Sequence, residues 1–144
     1  MQNMTAKIQQ TDLALIQLRR SVQLFNLKDY ISATTLAGAA NEIFGQIAMA
    51  NKGYNSTDSD KWFWDSMAKI YHKAKPSRGK IIQVNNKIKN VLKHCNNGAN
   101  NWIEADWENE AQSQIDYAIK NYMIAFDTIP NDRIIKKYVN WKWM

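Results

Sequence analysis

Cysteine is almost missing from this chain: its 144 residues hold one, Cys95. No internal disulfide can form. Two histidines, His72 and His94, and one thiol are too few ligands for a thiolate zinc centre. No metal and no cofactor are therefore expected. A reducing cytoplasm suits such cysteine usage. Proline is scarce as well, with only Pro76 and Pro130 to interrupt helices. No apolar run approaches the roughly 20 residues of a membrane helix, and the opening stretch MQNMTAKIQQTDLALIQLRR has no apolar signal core. No membrane association is expected, and the length suits one domain over 1–144. There is no glycine-rich phosphate loop, nucleophile elbow or paired-cysteine motif.

Negative charge is also missing from one region. Between Ser66 and Ile103 there is no aspartate or glutamate, yet Lys69, Lys73, Lys75, Arg78, Lys80, Lys87, Lys89 and Lys93 lie there. The net charge of +6 is therefore concentrated, because the rest of the chain holds 11 basic and 13 acidic residues. An anionic partner such as RNA or a nucleotide fits this pattern. The same lysines also suit the solvated faces of two helices.

What is abundant is helical periodicity. Apolar residues at three- and four-residue spacing predict a first helix over about 5–26, with Ile8, Leu15, Leu18, Val22 and Phe25 on one face. A second covers about 28–51 with the stripe Ala33, Leu36, Ala37, Ala40, Ile43, Phe44 and Ile47, and Gly53 lies beyond its end. A third starts near Lys61 and stops at Pro76, and a fourth covers about 80–96. A fifth runs over about 107–128, carrying Ala111, Ile115, Ala118, Ile119, Tyr122, Phe126 and Ile129. NDRIIKKYV predicts a short helix over 131–139, followed by the tail NWKWM. The expected fold is all-α: an antiparallel up-and-down bundle of four main helices plus short extra ones. The tail, with Trp141 and Trp143 around Lys142, is expected to cover an apolar groove on the bundle or on a partner.

Chemistry gathers on the fourth helix, in KNVLKH. At about 100° per residue, with Lys89 at zero, Lys93 falls at about 40°, Asn86 at about 60°, Asn90 at about 100° and His94 at about 140°. The apolar set centres at about 250°. Lys89, Asn90 and His94 thus share the polar half. An imidazole there can move protons near neutral pH, and Lys89 can steady a phosphate. Lys93, Asn86 and Lys87 extend the phosphate-binding surface, as do His72 and Lys73 in KIYHKAK. One histidine supplies half of an acid–base pair, and a second copy across a two-fold axis completes it.

KNVLKH resembles the motif of the HEPN superfamily (higher eukaryotes and prokaryotes nucleotide-binding domains): an arginine, a polar residue, a three-residue spacer and a histidine. DYISATTLAGAANEIFG and EAQSQIDYAIKNY extend the resemblance over most of the chain. It implies an all-helical homodimer in which Lys89 stands at the arginine position, Asn90 at the polar position and His94 at the histidine. In many members the paired motifs cleave RNA without metal. The chain departs from the pattern at Lys89, since lysine lacks the planar fork that grips phosphate with two parallel bonds. The resemblance therefore implies binding of nucleic acid or nucleotide with weak or absent catalysis. Two alternatives stay open. One is an active metal-independent endoribonuclease with a composite site at the dimer interface. The other is a protein-interaction module of a toxin–antitoxin or defence system that binds no nucleic acid.

Two further patterns carry expectations. Gly38 and Gly45 lie seven residues apart, with Glu42 between them, on the face of the second helix opposite its apolar stripe. Interior helical glycine costs about 1 kcal/mol relative to alanine, so this face is expected to admit a close approach, from a second copy or another helix of the chain. Glu42 is positioned to pair with a lysine or to orient His94. Glu104, Asp106, Glu108 and Glu110 alternate too closely to share one helical face, Asp106 and Glu110 excepted. Capping and solubility are expected of them, not metal binding.

Overall fold

The computed structural model describes residues 5–56 and 102–144. Within them the chain forms four helices and no strand: α1 (Gln10–Asn26), α2 (Tyr30–Lys52), α3 (Trp107–Phe126) and α4 (Arg133–Trp143). Together they build an all-α bundle. No helix among the described residues is long and apolar enough to cross a membrane.

The helices begin and end where local chemistry requires. Residues 5–9 are not helical, so α1 starts later than apolar spacing suggests. Ile8 is then left exposed. At the other end Lys28 adopts φ 65°, which excludes it from α2. Its N–H donates to the Phe25 carbonyl at 3.0 Å, and the Asp29 N–H donates to the Leu24 carbonyl at 2.9 Å. This paired pattern closes the last turn of α1 as a Schellman turn. Asp29 then opens α2, its side chain accepting from the Ser32 N–H at 3.2 Å. Gly53, at φ 79°, ends α2 in the left-handed conformation that glycine adopts without a Cβ clash. Asp106 caps α3 by accepting from the Asn109 N–H. Asp127, at φ 55°, ends α3 just before the buried Pro130. Asp132 opens α4 by accepting from both the Ile134 and Ile135 N–H groups. α4 extends through Trp143, so most of the expected tail is helical.

α1 and α2 run antiparallel, and so do α3 and α4. Ser21 on α1 donates to the Ala33 carbonyl on α2 at 2.7 Å, and Phe25 meets Tyr30. Tyr138 and Lys142 of α4 reach back to Asp116 and Gln112 of α3. Across the long interval between them, α2 and α3 run parallel. Asn41 meets Gln114, Asn51 meets the Ala125 carbonyl, and Lys52 pairs with Asp127. α1 and α4 are parallel as well, with Arg19 beside Asp132 and Phe25 beside Tyr138.

The core fills the space between these pairs. Leu18 and Val22 of α1, Phe44 of α2, Ile115 and Ile119 of α3 and Ile135 of α4 are buried. Each such side chain contributes about 1.5–3 kcal/mol through burial. Ala33, Ala37, Ala40 and Ala48 of α2 and Ala111, Ala118 and Ala125 of α3 are buried too. These small residues let the two helix backbones come close.

That close approach changes which face of α2 is inside. Leu36, Ile43 and Ile47 are only half-buried, whereas Thr34, Gly38 and Gly45 are buried. The buried face is rotated by about 80° from the apolar stripe toward the glycines. The glycine face is therefore not an outward one. α3 lies against it, and a Cβ placed on Gly45 would meet the Asn121 Nδ2 at 3.3 Å.

Candidate functional site

The residues of the sequence-derived motif, Lys89, Asn90 and His94, lie outside the described residues, as do Asn86, Lys87, Lys93, His72 and Lys73. Glu42 lies on the exposed side of α2, and any pairing of it with His94 falls outside the described residues. Gly38 and Gly45 are placed as stated above. Among the described residues three arrangements bear chemistry.

The first is a polar seam between α2 and α3. Asn121 is buried and donates its Nδ2 to Asn41 Oδ1 at 2.6 Å. Its Oδ1 accepts from the Ser56 backbone N–H, also at 2.6 Å. Asn41 in turn donates to Gln114 Oε1 at 3.4 Å. Buried amides of this kind require partners, and here they find one another. The seam fixes Ser56, just past the end of α2, onto α3. Among the described residues it contains no titratable group, and its role there is positional.

The second joins α3 to α4. The Tyr138 hydroxyl donates to Asp116 Oδ1 at 2.8 Å, and the Lys142 ammonium lies 3.4 Å from Asp116 Oδ2. Lys142 also donates to Gln112 Oε1 at 2.5 Å. Burial raises the Asp116 pKa, against the lowering effect of the Tyr138 and Lys142 bonds. Burial, with the Asp116 charge beside it, pushes the Tyr138 phenol far above its ordinary value. That phenol therefore stays protonated and acts as a donor, not as an acid.

The third is an open cleft between α1 and α4. Phe25, Tyr138 and Trp141 form its aromatic wall, with Gln23, Asn26 and Lys137 at its edge and a volume of about 520 Å³. Trp141 tilts against Phe25, ring centres 6.1 Å apart, and against Tyr138 at 5.6 Å. It is nonetheless 62% exposed. Trp141 and Trp143 thus both meet Tyr138 of the bundle, and both stay exposed to solvent. Their helical spacing was hidden by the asparagine of NWKWM, which suggests a break in the helix.

The acidic groups at the start of α3 serve its N-terminus. Asp106 caps α3, and Glu108 and Glu110 sit in its first turn, next to the positive end of the helix dipole. Glu110 is raised in pKa, first by burial and then by the Asp106 charge. No group of three histidine, cysteine, aspartate or glutamate side chains converges as a metal site among the described residues.

No protein-family model, curated protein or solved structure matches this chain.

Proposed function

We propose that the chain is a HEPN-like helical protein that binds RNA or nucleotide, with weak or absent cleavage. The observation that carries this reading is the acid-free run from Ser66 to Ile103, in which eight lysines and arginines occur without a carboxylate. Such a run attracts phosphate through summed charge and counterion release. Within it, Lys89, Asn90 and His94 follow the family spacing. Lysine at 89 supplies charge without a bidentate fork, which favours binding over stabilisation of a cleavage transition state. The all-α bundle is compatible with this reading and with many other helical proteins. A homodimer that brings two copies of the motif together is part of the proposal.

The test pairs binding with cleavage. The full chain is titrated with a single-stranded RNA at several salt concentrations, and the same RNA is followed for cleavage without metal. Affinity that falls steeply with salt, and falls further in Lys89→Ala, supports the proposal. Cleavage abolished in His94→Ala would instead favour the active ribonuclease. Binding that is absent, or insensitive to salt, would sink the electrostatic reading and leave the protein-interaction module.

A further inference from the structure

The cleft between α1 and α4 has a lining suited to one class of ligand. Ile134, Lys137, Tyr138 and Trp141 recur at i, i+3, i+4 and i+7, so they share one face of α4. The last turn of α1 supplies Gln23, Phe25 and Asn26 opposite them. Its volume of about 520 Å³ falls within the range of small-molecule sites. The rings of Phe25 and Tyr138 meet Trp141 at 49° and 56°. Neither stacks flat upon it, and Trp141 is exposed over more than half of its surface. Gln23 Oε1 accepts from Arg20 Nη1 at 3.4 Å, which leaves its amide nitrogen as a donor. Lys137 is exposed and makes no ion pair among the described residues. Among the described residues no carboxylate lines the cleft, and α4 itself contains neither aspartate nor glutamate.

We propose that this cleft binds a nucleoside monophosphate. The base lies against the Trp141 indole, the phosphate on the Lys137 ammonium, and the base edge on the amides of Gln23 and Asn26. Aromatic faces accept any base because each base has a π-face. A purely aliphatic ligand would leave the lysine and both amides unused. The ligand class rests on the reading proposed above, but the residues are others, far in sequence from Lys89 and His94.

The test is calorimetric titration of the full chain at low salt with AMP, UMP, adenosine and ribose 5-phosphate. AMP is expected to bind more tightly than UMP, because the purine stacks over a larger area. Trp141→Ala should weaken AMP about tenfold or more, and Trp141→Phe should recover part of the loss. Lys137→Gln should weaken AMP several-fold and leave adenosine unchanged, about the effect of one lost phosphate contact. The melting temperature of Lys137→Gln should stay near wild type, since that side chain is exposed. Trp141→Ala also loses ring contacts with Phe25 and Tyr138, so it is compared with Trp141→Phe at a temperature where both are folded. Lys89→Ala/His94→Ala should keep AMP binding while losing salt-dependent RNA binding, which separates this site from the motif. No AMP binding would overturn the proposal. So would ribose 5-phosphate binding as well as AMP, or AMP binding that ignores Trp141 and disappears in Lys89→Ala/His94→Ala.

Discussion

Asn121 on α3 donates to Asn41 on α2 at 2.6 Å, directly over Gly45, whose missing Cβ makes room for the Asn121 amide. The amide is held at both ends, because its oxygen accepts from the Ser56 N–H at 2.6 Å. It therefore has little freedom to move aside. Gly45→Ala would gain about 1 kcal/mol of helix propensity but would press a methyl group within 3.3 Å of Asn121 Nδ2. The contact should win, with a net loss of about 1 kcal/mol, in the range of overpacking. Asn121→Ala should cost about 1–3 kcal/mol, since it strands the buried Ser56 N–H. The two changes should couple. In the Asn121→Ala background the clash is gone, and Gly45→Ala should become stabilising. Urea melts of the four proteins check this. If Gly45→Ala has the same sign in both backgrounds, the seam does not work as described.

α4 has 11 residues, too few to be stable alone in water. Its start depends on Asp132, whose Oδ1 accepts from the Ile134 N–H at 2.9 Å and the Ile135 N–H at 3.0 Å. Asp132→Ala should cost about 1 kcal/mol, and up to about 2. Asp132→Asn or Asp132→Ser should recover most of this, because the cap needs an acceptor and not a charge. The Arg19 contact at 3.6 Å is long and its guanidinium is exposed, so it adds little. Amide hydrogen exchange across 133–143 reads the effect locally. Equal exchange in Asp132→Ala and wild type would show that tertiary packing alone sets the start of α4.

Much of this fold was legible in the sequence, and the misses share a cause. Leu18, Val22, Phe44, Ile115 and Ile119 are buried where apolar spacing expected them. Asp29 and Gly53 bracket α2, as residues of their type tend to. Periodicity of hydrophobicity does not register a polar seam, so Asn121 and Gln114 were not expected inside. It also undervalues glycine and alanine, which is why α2 is turned from its apolar stripe toward Gly38 and Gly45. Lys28 in a left-handed turn carries no marker that glycine would have given. Of the candidate site, only Gly38, Glu42 and Gly45 lie among the described residues. The cleft at Trp141 was hidden because its two walls come from chain segments more than a hundred residues apart.

Asp116 should make stability depend on pH in an unusual direction for a carboxylate. Its folded-state pKa is raised, chiefly by burial, above the unfolded value of about 3.9. The folded state therefore holds the proton more tightly than the unfolded one. The stability contributed by this group is fully present below the unfolded pKa and is lost as pH rises through the folded pKa. Asp116→Asn keeps a carbonyl for the Tyr138 hydroxyl but cannot titrate. The stability difference, wild type minus Asp116→Asn, should be greatest in acid and decline toward neutral pH. Urea midpoints at intervals from about pH 3 upward provide the measurement. A difference that grows with pH would mean that the Lys142 pair at 3.4 Å outweighs burial.

The lysine at position 89 makes the proposed function testable in the direction of gain. If Lys89 contacts phosphate, removing it should lower the salt slope for single-stranded RNA by about 0.7. Lys89→Arg should do the reverse of a loss. Guanidinium forms two parallel bonds to one phosphate, where ammonium acts as a point charge. Binding should tighten by a few-fold, and a developing negative charge in the cleavage transition state would gain a bidentate partner. Slow RNA cleavage should then appear in Lys89→Arg and vanish in Lys89→Arg/His94→Ala, because proton transfer still requires the imidazole. Cleavage should also fall on dilution into a monomeric state if two motifs act together across a dimer. Gel-resolved products from one RNA, with and without a chelator, read all of these at once. Arginine at 89 that changes neither affinity nor cleavage would remove Lys89 from the phosphate surface, and the motif with it.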